Sequence, residues 1–204
     1  MEMATVIGIK GRDCVILAAD AMPFVIQDTP FVGPSNIQLL SKYCMMGVIG
    51  NKSDTLQFSK FIASHIKCYD IQNGYPLNTP AIVHFSCNNV VANLRNRVKH
   101  QVALLLGGYD NDTGSLLSSI DAQGSSQTLN YAVYGMGYSV CNRILQKTWK
   151  PDLLFDEAHE IIRMCIKEIQ KSLIINQNCF HIFVVDKDGV RKLRPLCNSI
   201  SETL

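Results

Sequence analysis

Several short stretches of this sequence carry side chains able to do chemistry. Asp156-Glu157-Ala158-His159 spells the acidic box of a nucleic-acid helicase. That activity also needs a phosphate-cradling G-x-x-x-x-G-K-[ST] loop, which the sequence lacks, so the four residues read as a helix cap and a solvated face. His159-Glu160 begins the metalloprotease pattern H-E-x-x-H, but Arg163 stands where the second histidine ligand belongs. The glycines at Gly8–Gly11 and Gly135–Gly137 make no G-x-G-x-x-G and have no acid at dinucleotide spacing after them. His65, His84, His100, His159 and His181 are scattered and read as hydrogen-bonded structural residues. Asp20 is different. It ends an apolar run, and a buried carboxylate must be paired or hydrogen-bonded, so it is a candidate for a site role.

The eight cysteines are Cys14, Cys44, Cys68, Cys87, Cys141, Cys165, Cys179 and Cys197. No C-x-x-C occurs among them, and most sit inside apolar periodic segments, as small buried hydrophobes do. The start Met-Glu-Met-Ala has an acid at position 2 and no basic region, unlike a secretory signal. The expectation is eight reduced thiols in a reducing compartment.

The elements that must position these groups follow from periodicity. Ala4–Lys10 and Cys14–Ala19 read as a buried hairpin turned by Gly11-Arg12-Asp13, residues 21–36 as a proline-rich loop or irregular edge, and Cys44–Ile49 as a strand ending at Gly50. Ser53 or Asp54 can cap a helix whose stripe is Phe58, Phe61, Ile62, Ile66 and Tyr69, stopping at Asn73-Gly74. Thr79-Pro80 opens a second helix with the stripe Val83, Cys87, Val90, Leu94 and Val98, and Arg95, Arg97 and Lys99 crowd its last turn. Strands are expected at Val102–Leu106, Ser115–Ile120 and Leu129–Tyr134. A short helix follows around Val140, Ile144 and Leu145. Asp156 can cap a longer helix with Ala158, Ile161, Ile162, Cys165 and Ile169 inward. Phe180–Val185 and Val190–Leu193 flank Asp186-Lys187-Asp188-Gly189, a hairpin signal. Helix pairs between antiparallel strand groups predict two packed sheets with helices outside them.

A length of 204 residues favours one domain, or at most two small ones, and is enough for a single core that buries about 70% of the unfolded chain's surface. The composition, 47% hydrophobic and 18% charged, excludes intrinsic disorder. A net charge of +2 gives no footprint for nucleic acid or acidic membrane. No apolar run approaches the roughly 18 residues of a membrane span.

Thr5-Val-Ile-Gly8-Ile-Lys-Gly-Arg-Asp13 followed by Val15-Ile-Leu-Ala-Ala-Asp20 resembles the β-type subunits of the 20S proteasome. The likeness continues through Gly50, Ser53-Asp54-Thr55, Gln57-Phe58 and Asn73-Gly74-Tyr75. It resumes at Leu106-Gly107-Gly108-Tyr109-Asp110, Ile120-Asp121, Tyr134-Gly135-Met136-Gly137-Tyr138 and Val185-Asp186-Lys187-Asp188-Gly189-Val190. It spans nearly the whole chain in order, and is weakest over residues 21–36 and the tail. The start without a leader, Asp54-Thr55-x-Gln57-Phe58 and Gly107-Gly108-Tyr109-Asp110 most resemble the branch at the beta-4 ring position, also called beta type-2.

The resemblance implies an α+β fold, the four-layer αββα sandwich of N-terminal-nucleophile hydrolases. It implies one such domain over residues 1–204, with a C-terminal tail from about residue 195. Active members of that family attack peptide bonds with an N-terminal threonine exposed by cleavage after a glycine, helped by a lysine and an acid. Register on Gly8 and Asp20 puts the nucleophile position at Ala4, the residue before it at Met3 and the lysine position at Asn36. The late serine position falls at Met136, and the supporting Asp and Ser near Ser172 and Ile175. Only Asp20 and Gly50, the latter an oxyanion-hole position, survive. The expectation is no catalytic, cofactor-binding or metal residue and no cofactor.

The implied role is a non-catalytic wall subunit of the proteolytic chamber used in ATP- and ubiquitin-dependent degradation. Its partners would be ring neighbours, the opposite β ring and α-ring subunits in a hetero-oligomer of 28 chains, in cytoplasm and nucleus, with no nucleic acid or membrane. The alternative is an active threonine protease using Thr5 after processing. Thr5 is one residue late, so its side chain should point to the other face of its strand, and it lacks the preceding glycine and the partner lysine.

Overall fold

A computed structural model describes residues 4–21, 23–26, 29–32, 35–96, 101–172 and 179–197. β1 (Thr5–Lys10) and β2 (Val15–Asp20) form the expected antiparallel hairpin. Within the proline-rich stretch expected to be loop or irregular edge lies a small second hairpin, β3 (Pro23–Ile26) with β4 (Thr29–Val32), paired from Pro23↔Val32 to Ile26↔Thr29. Prolines are tolerated there because neither strand belongs to a larger sheet. β5 (Ile37–Ser41), which the sequence reading missed, pairs with β6 (Cys44–Gly50).

Two long helices follow, and each is capped one to three residues before the predicted cap. α1 (Lys52–Asn73) is capped by Asn51, whose side chain accepts from Ser53 N–H, and ends on a left-handed Gly74. α2 (Thr79–Arg95) is capped by Asn78, which accepts from Ala81 N–H at 3.0 Å and leaves Thr79 and Pro80 inside the first turn. Its buried line is Ile82, Ser86 and Val90; Val83 and Cys87 are only half-buried and Leu94 is exposed. Arg97, Val98, Lys99 and His100 lie outside the described residues.

β7 (Val102–Asp110) runs straight through Gly107-Gly108, where a stop was expected, and pairs with β8 (Gly114–Ile120). β9 (Ser126–Thr128) and β10 (Tyr131–Gly135) lead to α3 (Tyr138–Thr148) and α4 (Phe155–Ser172). The five residues predicted inward on α4 are all buried, and Ile166 joins them. Glu157, not Asp156, fixes its start by reaching back to accept from Leu154 N–H at 3.1 Å, half of a capping box. β11 (Cys179–Asp186) and β12 (Gly189–Lys192) make the predicted hairpin, and β13 (Leu196–Cys197) pairs with the other end of β11.

One sheet has the order β10-β1-β2-β11-β12, and the other β5-β6-β7-β8-β9. Alternation along the strands builds three apolar layers. Ile7, Ile9, Ile16 and Ala18 face α3 and α4. Val6, Val15, Leu17, Met45, Leu105 and Leu117 meet between the sheets. Met46, Val48, Leu104 and Leu106 face α1 and α2. This is the αββα sandwich. Gly8 sits where the sheets come closest: a Cβ there would lie 2.7 Å from Leu105 Cδ2 and 2.9 Å from Leu17 Cδ2.

Most cysteines behave as expected. Cys14, Cys44, Cys141 and Cys165 are buried free thiols, Cys87 is half-buried and Cys68 exposed. The expectation of eight reduced thiols is corrected at one pair, because Cys179 and Cys197 are joined by a disulfide. They are 18 residues apart in sequence, and only the unpredicted pairing of β13 with β11 brings them opposite each other.

Candidate functional site

The resemblance directs attention to the end of the β1–β2 hairpin opposite its turn. Asp20 is 5% exposed there, at the last position of β2. Its Oδ1 accepts from Thr5 N–H at 3.0 Å, and the Asn36 side chain also hydrogen-bonds it. Burial pushes this carboxyl up from 3.8 to about 6, opposed by hydrogen bonds from the backbone N–H groups of Thr5 and Asp20 and from Asn36. Both kinds of partner, backbone amide and side chain, thus hold Asp20.

Ala4 stands at the head of β1, half-buried, and its carbonyl accepts from Met136 N–H at 3.3 Å. Its side chain is a methyl group. No oxygen, sulfur or amine of Ala4 or Asn36 can serve as a covalent nucleophile, since a carboxamide nitrogen is not basic. The Asp20–Asn36–Thr5 cluster can accept and donate hydrogen bonds and hold the strand ends together. It offers no attacking atom.

Thr5 follows the parity of Ile7 and Ile9, toward the α3–α4 layer, whereas Ala4 continues the parity of Val6 and the space between the sheets. Thr5 is fully buried, and its Oγ1 accepts from Gly137 N–H at 3.1 Å. A Cβ placed on Gly137 would lie 2.8 Å from Thr5 Cγ2 and 2.8 Å from Ile169 Cδ1, so this hydroxyl is walled in by the helix layer. The Thr5 alternative is not favoured.

The remaining family positions are dispersed or explained by packing. Met136 is half-buried between Gly135 and Gly137. Ser172 is exposed at the end of α4 and donates to Glu168 on its own helix. Met3 and Ile175 lie outside the described residues. Gly50 closes β6 with φ +154, and a Cβ on it would sit 2.0 Å from the carbonyl oxygen of Gln101. Backbone crowding alone therefore demands glycine there, whether or not its N–H ever met an oxyanion.

A second cleft, about 490 Å³, opens at the other end of the hairpin between Asp13, Cys14, Tyr109, Leu153, Phe155 and Asp186. Its thiol is a poor nucleophile. Burial, together with the charges of Asp186 and Asp13, pushes Cys14 up to about 11. The histidines are spread out. His65 Nδ1 is 2.9 Å from Phe61 O, His84 pairs with Asn88, His159 stacks on Phe155 and His181 is buried in β11. Among the described residues no three His, Cys, Asp or Glu side chains gather in a way that could hold a metal ion, and no helix is long and apolar enough to cross a membrane.

The proteasome subunit family model matches residues 1–185. The chain is 32% identical over 190 residues to the proteasome subunit beta type-2 of Oryza sativa subsp. japonica, covering 93% of this chain and 89% of that protein. It is 30% identical over 195 residues to a probable proteasome subunit beta type-4 of Meyerozyma guilliermondii, covering 93% of this chain and 98% of that one. Its identity to the proteasome subunit beta type-4 of Saccharomyces cerevisiae is 28% over 196 residues, covering 94% and 97%.

Proposed function

The chain belongs to the proteasome subunit family, and on that premise we propose that it is a non-catalytic, architectural β-type subunit of the 20S core particle. It fills one place in a β ring, at the beta-4 position, in keeping with the names beta type-2 and beta type-4 carried by its relatives. It packs against an α ring, meets the opposite β ring within a 28-chain hetero-oligomer, and walls the chamber in which neighbours cut proteins delivered by ATP- and ubiquitin-dependent steps. It works in cytoplasm and nucleus, and its six free cysteines suit a reducing compartment. No cofactor is required.

One observation carries this reading: at the nucleophile register a methyl group, Ala4, stands beside an acid whose side-chain partner is the neutral amide of Asn36. Alkoxide formation has neither a hydroxyl to start from nor an ammonium to stabilise it.

The test is covalent labelling. Native particles treated with a threonine-directed peptide epoxyketone should show adducts on other β subunits and none on this chain, by intact mass. An Ala4→Thr variant should remain unlabelled as well, because Asn36 and Met3 are unchanged. An adduct on the native chain at Thr5 would overturn the reading.

A further inference from the structure

The last strand has little of its own to hold it. β13 is two residues long, and among the described residues its register partners are Cys179 and Phe180 of β11. β12 covers the same edge opposite Phe183 to Asp186, and between the two Leu193 N–H donates to Ile182 O at 2.8 Å. A strand this short is marginal by itself, and withdrawing it would open the Cys179–Phe180 backbone as a free sheet edge. Across this register runs the one disulfide among the described residues. Its halves sit in different settings: Cys179 is 4% exposed, whereas Cys197 is exposed.

We propose that Cys179 and Cys197 form a reversible thiol–disulfide latch that determines whether β13 stays on the β11 edge. To open it, the thiolate of a low-molecular-weight thiol attacks Sγ of Cys197, the accessible sulfur. A mixed disulfide forms at Cys197 as the protein's S–S bond breaks. The electron pair leaves on Cys179 Sγ, which takes a proton from solvent. A second thiolate then attacks the small-molecule sulfur of the mixed disulfide. Cys197 leaves as thiolate and is protonated, and the two reductant molecules depart as their own disulfide. The bridge gains two electrons and two protons. Closing is the reverse, with a low-molecular-weight disulfide as oxidant.

Two of the other buried thiols, Cys14 and Cys44, are poor competitors. Burial pushes Cys44 up to about 12, and Cys14 is raised to about 11, so neither offers much thiolate. The latch also has a mechanical connection. Cys179 O accepts from Ala21 N–H at 2.8 Å, and Phe180 pairs with Asp20, so the bridge lies one strand from the carboxylate that holds Thr5. None of this depends on the chain's place in an assembly.

The full chain in its native assembly, equilibrated in glutathione buffers from reducing to oxidising, quenched in acid and alkylated, provides the test. Cys179 and Cys197 should lose alkylation together as the buffer becomes oxidising, while Cys14, Cys44, Cys141 and Cys165 do not change. Hydrogen exchange at the amides of Phe180 and Leu196 should be slower by roughly tenfold or more in the bridged form. The variant Cys197→Ser, at an exposed position, should keep the faster exchange in every buffer. Full alkylation of both cysteines in the most oxidising buffer would overturn the latch. So would glutathione on Cys197 alone, or exchange rates indifferent to the bridge.

Discussion

Asp20 is the residue whose environment costs the fold something at neutral pH. Its folded carboxyl is raised to about 6, above the 3.8 of a free aspartate, because burial outweighs three hydrogen bonds. The folded state therefore binds the proton more tightly than the unfolded chain. The stability this contributes is complete below about pH 4 and is lost as pH rises through 6, leaving a penalty on the order of 3 kcal/mol at pH 7. Asp20→Asn keeps an oxygen for Thr5 N–H and removes the charge. Denaturant unfolding of the full-length chain should find the variant gaining on the native protein between pH 4 and 6, with the gap level above that. Parallel pH profiles would show that Asp20 does not titrate in this range. Ala4, Asp20 and Asn36 were legible only through the family resemblance anchored on Gly8 and Asp20, and the two-residue period added that Thr5 faces away from Ala4. The partner of Thr5 was not legible. Gly137 lies 132 residues away, and only the docking of β10 and α3 onto β1 brings its N–H to the hydroxyl.

At the scale of elements, strand and helix cores were readable and their ends were not. Ile7, Ile9, Ile16 and the inward face of α4 are runs whose period matches one buried surface. The caps of α1 and α2 were misplaced for a common reason: an asparagine upstream of a run of cap-capable residues competes with them, and the winner depends on backbone angles. Asn51 and Asn78 take the extended or near-extended cap conformation, with ψ 134 and 161, so Ser53 and Thr79 fall inside the helices. The prediction at this scale compares two neighbours. Asn51→Ala should cost about 1 kcal/mol, and Ser53→Ala should stay within about 0.5 kcal/mol, read as urea midpoint shifts. The reverse order would return the cap to Ser53. α2 defeated the apolar stripe in another way. Ser86 is fully buried on the inner face and Leu94 is exposed, so hydrophobicity and burial point to different sides of that helix. β9 was invisible because all three of its residues are exposed.

The whole molecule is set by how closely two sheets can approach, and this decides where chemistry could have been placed. The hairpin β1–β2 is covered by helices on one face and by the second sheet on the other, so its end is the natural seat for a site between the sheets, which Ala4 leaves without a reactive group. The close approach depends on Gly8, whose missing side chain admits Leu105, Leu17 and Leu117 from above and beside it. Gly8→Val would drive methyl groups into Leu105 Cδ2, 2.7 Å from the Cβ position, and should cost about 1–3 kcal/mol by overpacking. Leu105→Ala alone should cost about 2–5 kcal/mol by leaving a cavity between the sheets. In the double variant each change relieves the other, since valine fills part of the space that leucine vacates. The double should therefore fall short of the sum by about 0.5–3 kcal/mol in a denaturant-based double-mutant cycle. Simple additivity would mean that the sheets part to accommodate valine elsewhere, and that Gly8 does not set their spacing.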